Sequence, residues 1–178
     1  MIRRLRSEEG FGIVELVVAT VVLTVALLAL MAAYDEAFVS LHKSARTSSA
    51  ATLAETQLEL YGALPFASIG LSSTKLTAAA SDTYYGTDEA ALSPTGTDVT
   101  NPSCDTTSAQ CLPVQASVKG SDGKNYRIET FVRDVTQTVT SGWTTPERVV
   151  TVVVRDPNTS GTPEVYTVTA AFDQGPRS

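Results

Sequence analysis

From Phe11 to Ala33 the chain reads FGIVELVVATVVLTVALLALMAA, 23 residues with a single charged side chain, Glu15. No other feature constrains the fold as much. As an α-helix the run is about 34 Å long, enough to cross the hydrocarbon core of a bilayer. Arg3, Arg4 and Arg6 precede it, and basic residues stay on the cytoplasmic side, so the rest of the chain is expected outside the cytoplasm. Thr20 and Thr24 are the only other polar side chains before Tyr34, and each can bond back to its own helix. Glu15 is the anomaly. A carboxylate in a membrane helix costs roughly 2.5–3.5 kcal/mol and so calls for a functional reason.

Two ordinary explanations of the run fit poorly. A secretory signal has a shorter apolar region followed by a small-residue cleavage site, and LMAAYDEA supplies no A-x-A pattern. A plain anchor accounts for the arginines and the length but leaves Glu15 without a role. A third reading joins more residues. A basic leader, residues 1–10, ends in Gly10; Phe11 follows, and Glu15 is the fifth residue after that glycine. This G-F-G-I-V-E-L-V-V arrangement resembles the class III signal of type IV prepilins and pseudopilins. The resemblance implies cleavage between Gly10 and Phe11 by a prepilin peptidase and N-methylation of the new amine of Phe11. It also implies charge pairing between Glu15 and the Phe11 amine of a neighbouring subunit, which would offset the burial of both. Gly10, lacking Cβ, suits the approach of a protease. Unlike many pilins, the chain has no Gly or Pro between Gly12 and Gly62.

The helical pattern continues beyond the membrane run. Phe38, Leu41, Ala45, Ser48, Ala51, Ala54, Leu58 and Tyr61 recur at spacings of three and four, and Gly62 and Pro65 are stop signals. One helix is therefore expected in two halves, 11–34 for membrane and assembly and 35–64 amphipathic. Leu58 and Tyr61 are expected in the core of the head. Residues 65–111 read as an αβ loop, irregular apart from a short element near Leu76–Ala80. Its acidic residues Asp82, Asp88, Glu89, Asp98 and Asp105 lack the frame of a calcium loop and are expected to be solvated.

Cys104 and Cys111 lie in that loop, with the only histidine, His42, far away in sequence. Zinc would want four ligands, so a short-loop disulfide and an oxidising compartment are expected. From 112 to 178 the grammar is that of strands. Val114, Ala116 and Val118 alternate before the turn Gly120-Ser121-Asp122-Gly123. Tyr126, Ile128, Thr130 and Val132 then share one face, RVVTVVVRD is the most apolar strand, and Tyr166, Val168, Ala170 and Phe172 share a face of the last. Trp143, between strands, is expected to plug the core. About four strands with short links indicate an antiparallel meander covered by the helix, an α+β fold.

This order also resembles the pilin architecture. The helix end A-E-T-Q-L-E-L-Y-G-A-L-P-F is similar to that of PilV-like minor pilins, although the cysteines precede the sheet instead of closing a C-terminal loop. The resemblance implies a structural subunit of a type IV pilus or related filament, with pilin subunits, prepilin peptidase, the cytoplasmic membrane and the assembly platform as partners. A pseudopilin of a type II secretion or DNA-uptake apparatus, or a tip adhesin with a surface, glycan or DNA ligand, is the alternative. The expected location is the inner membrane, single-pass with the head outside, and then an extracellular filament. No cofactor or metal is expected. The sequence has no G-x-S-x-G, H-E-x-x-H or phosphate-binding glycine loop, and a formal charge of −6 argues against a broad nucleic-acid surface.

Overall fold

The alternation of apolar and polar residues between Val114 and Phe172 is realised as an antiparallel sheet in a computed structural model that describes residues 12–92, 96–138 and 144–174. The leader, the Gly10–Phe11 junction and Trp143 lie outside the described residues. Helix α1 spans Ile13–Gly62, α2 Ser73–Ala79 and α3 Thr83–Leu92; the strands are β1 (Thr97–Asp98), β2 (Val114–Lys119), β3 (Asn125–Thr138), β4 (Thr144–Arg155) and β5 (Glu164–Asp173). The chain divides into two compact units, Met1–Ser44 and Ala45–Ser178.

In the second unit, β2 through β5 form the expected meander, each strand antiparallel to the next. The fifth strand, β1, was not legible in the sequence. It pairs with Asp134 and Arg133 on β3, on the edge whose other end takes β2. The GSDG turn closes the β2–β3 hairpin, with Gly123 at φ +79°, a conformation that costs glycine little. Gly96 leads into β1 at φ +116°, and a Cβ there would lie 2.7 Å from the Asp134 carbonyl oxygen.

Strand alternation gives the sheet two working faces. One carries Tyr126, Ile128, Val132, Val150, Val152 and Val154, buried against Ala50, Ala54 and Tyr61 of α1. Tyr166, Val168 and Phe172 of β5 pack at the margin of this core, in the face the sequence assigned them. Tyr61 is buried and Leu58 partly so, as expected. The rest of the helix face is rotated from the predicted stripe. Ala54 is also buried as expected, but Ala45 and Ser48 are exposed, whereas Ser49, Ala50 and Gln57 are buried. The small side chains of Ala50 and Ala54 let the helix backbone approach the sheet.

The opposite face holds Phe131 and Val153, covered by Ala79 of α2 and Tyr85 of α3. The Tyr85 and Phe131 rings stack with centroids 4.4 Å apart and planes 19° from parallel, a contact that adds to area burial. The short element expected near Leu76–Ala80 is α2, whereas the expectation of an otherwise irregular loop is corrected by α3, and the two form a helical cover. Cys104 and Cys111 are joined by a disulfide. Closing that short loop is worth on the order of 2–3 kcal/mol in chain entropy. Replacing both cysteines by serine is therefore expected to lower the denaturant midpoint, and reductant should shift the midpoint of the native chain to the same value.

Candidate functional site

In the first unit, the described part of α1 presents apolar side chains to every side. From Ile13 to Leu41 its large apolar residues are each more than half exposed. A patch of this extent is stable only in lipid or against other protein, and the helix is long and apolar enough to cross a membrane. Thr20 donates to the Val17 carbonyl at 2.8 Å and Thr24 to the Thr20 carbonyl at 2.7 Å, so both hydroxyls are satisfied within the helix. Glu15 sits in the first turn, where a carboxylate complements the helix dipole. It is exposed, and it makes no ion pair among the described residues.

Within the second unit, polar side chains of α1 fasten the helix to the sheet and to the disulfide loop. Gln57, buried at 3% exposure, donates from Nε2 to the Ala109 carbonyl at 3.0 Å and accepts at Oε1 from Gln115 Nε2 at 3.0 Å. One turn on, the Tyr61 hydroxyl donates to the Gln110 carbonyl at 2.7 Å, and burial pushes that phenol far up. Both therefore grip the turn Ala109–Cys111. At the other end of this segment, Ser49 Oγ accepts from the Asp122 amide at 3.2 Å, which seats the β2–β3 hairpin. Arg46 pairs with Asp156 at 3.0 Å.

Asp156, the residue after β4, is buried. Burial pulls it upward, but the amide and side chain of Asn158, the Thr159 hydroxyl and the Arg46 charge outweigh that and hold it below the usual range. Asn158 spends its amide on the Asn125 carbonyl and on Asp156, each at 3.0 Å.

The densest polar cluster lies under the α2–α3 cover. Glu129, on β3, is fully buried. Its Oε1 accepts from Arg127 Nε at 2.6 Å and its Oε2 from Arg155 Nε at 3.3 Å. Arg127 also pairs with Asp82 at 2.6 Å, and Arg155 with both oxygens of Asp88. Both guanidinium groups lie 5.7 Å from the centre of the Tyr84 ring, within cation–π range. Asp82 doubles as the cap of α3, accepting from the Tyr84 and Tyr85 amides at 3.0 and 3.1 Å. The expected solvated acidic loop is thus corrected for Asp82 and Asp88, which are ion-paired; Glu89 and Asp98 each lie 3.7 Å from Arg133. Asp98 and Asp105 are exposed as expected, Asp105 bonded within its own turn.

Of the residues singled out in the sequence, the fold brings together Cys104 and Cys111 and leaves Glu15 in the first unit. Sequence reasoning passed over Gln57, Glu129, Arg127 and Arg155. The one available signal was the charged pair Arg127 and Glu129 on alternate positions of an otherwise good strand. Comparison with protein-family models, with curated proteins and with solved structures finds no match.

Proposed function

We propose that the chain is a structural subunit, of minor-pilin type, of a type IV pilus or related filament. The observation that carries this reading is the continuity of α1. One helix begins as an apolar rod interrupted by Glu15 and ends as the core helix beneath an antiparallel sheet. The first part is suited to a bilayer before assembly and to other subunits afterwards; the second holds a folded head. In this reading the peptidase cuts after Gly10 and methylates Phe11, and the Phe11 amine of one subunit neutralises Glu15 of another. Exchange of lipid contacts for helix packing then drives assembly, with the charge pair setting the register.

The test is the intact mass and N-terminal sequence of the protein recovered from its host, together with a Glu15→Gln variant. The expected result is a chain starting at N-methylated Phe11, and a variant that is processed and membrane-bound but at least tenfold depleted from sheared filaments. A chain starting at Met1, or a Glu15→Gln subunit assembling at the wild-type level, would overturn the reading.

A further inference from the structure

We propose that the α2–α3 cover is a proton-linked latch, held closed over the sheet by one proton resident in the Asp88–Glu129 pair. The inference rests on the cluster beneath the cover and does not depend on the filament reading. Three carboxylates, Asp82, Asp88 and Glu129, meet two guanidinium groups, Arg127 and Arg155. With every group ionised, the cluster holds one uncompensated negative charge. Asp82 is a third exposed and pairs with Arg127 at 2.6 Å, whereas Glu129 is 0% and Asp88 7% exposed, so the excess charge is costly where it falls on the Asp88–Glu129 pair, away from water.

The geometry also says where the conflict is sharpest. The single Arg155 Nε–H is shared by Asp88 Oδ2 at 3.0 Å and Glu129 Oε2 at 3.3 Å. One donor therefore stands between two carboxylate oxygens, one on the cover and the other on the sheet. A proton on the pair makes the cluster neutral and replaces repulsion by attraction. Its removal sets Asp88, on α3, against Glu129, on β3.

The groups facing Glu129 are Arg127 on its own strand, Arg155 on β4, and Asp88 and Tyr85 from the cover; Asp82 and Tyr84 of the cover meet the two arginines, and Lys75 of α2 lines the groove beside Asp82. Beyond Tyr85 lie Glu89, Asp98 and Arg133. Burial, and next the Asp88 carboxylate, push Glu129 up to about 7, against the pull of Arg127. A carboxyl whose affinity for the proton is higher when the cover is docked stabilises docking fully below its ordinary value of 4.5. That contribution is lost as pH rises through about 7. Asp82 runs the other way. Burial raises it, but the Tyr85 amide, Arg127 and the Tyr84 amide hold it low, so its contribution is lost only in acid. The latch is tightest between these limits.

The experiment is hydrogen exchange of the full chain in detergent at pH 5.5 and pH 8, corrected for intrinsic exchange, read at the amides of α2 and α3. The expected result is a loss of protection of roughly tenfold or more between pH 5.5 and pH 8, most of it complete by pH 7 and confined to the cover. Glu129→Gln and Asp88→Asn should each remove that pH dependence. An infrared band of a protonated carboxyl at pH 6, bleached by pH 8.5, is expected in the wild type, which keeps the test decisive should a variant not fold. Equal protection at both pH values, variants that retain the pH dependence, or absence of that band would overturn the proposal.

Discussion

Replacing Arg155 by methionine is expected to lower the unfolding free energy of the head by about 3–5 kcal/mol, the usual cost of removing one partner of a buried ion pair. Arg155 hydrogen-bonds both Asp88 and Glu129. Methionine restores much of the packing but none of the charge, leaving two buried carboxylates close together. The loss should therefore exceed that of a cavity alone. The docking of α3 also passes through this residue, because the Tyr84 ring lies against its guanidinium. Denaturant unfolding of the full chain in detergent measures the change. A double-mutant cycle with Asp88→Asn should recover part of it, since only one carboxylate is then stranded. A loss below about 1 kcal/mol would mean the cluster behaves as a solvent-screened surface network.

Tyr61→Ala is expected to cost about 3–5 kcal/mol, in the range for deleting a large buried side chain. The ring is fully buried at the end of α1, in the core with Ile69, Leu71, Val150 and Val152. Its hydroxyl holds the turn that contains Cys111. Tyr61→Phe separates the two contributions. It keeps the ring and removes one hydrogen bond, for an expected loss of about 1 kcal/mol. Both values come from denaturant midpoints at constant slope. Equal losses for the two variants would place the energy in the hydrogen bond and not in the core.

Arg148 shows why some anchors escape a reading of the sequence. It lies in a valine-rich strand, where periodicity marks it as an interruption. Its Nη1 donates to the carbonyls of Phe66 and Ile69, and its guanidinium lies 4.6 Å above the Phe66 ring. Those partners are 82 and 79 residues away, so no local pattern announces them. Gln57 was missed for a related reason. A polar residue at a helical spacing reads as solvent-facing unless the carbonyl and amide that satisfy it are known. The rotation of the helix face follows from the same blindness, since Ser49 and Gln57 count as polar in any periodic scan yet are buried with their bonds made.

Local pattern was enough for the apolar rod with its single charge, the helix beyond it, the four-strand meander, the faces of β3 and β5, and the cysteine pairing. Each depends on side-chain period, turn chemistry or composition within a few residues, and such information is local. Folding alone settled that α2 and α3 cover the second face of the sheet, that β1 pairs beside β2, and that Asp88 and Glu129 are buried against Arg155, with Asp82 paired to Arg127 at the margin. Carboxylates are driven to water unless a partner meets them. Whether one does depends on residues such as Asp88 and Arg155, 67 apart in the chain, being brought to the same place by folding.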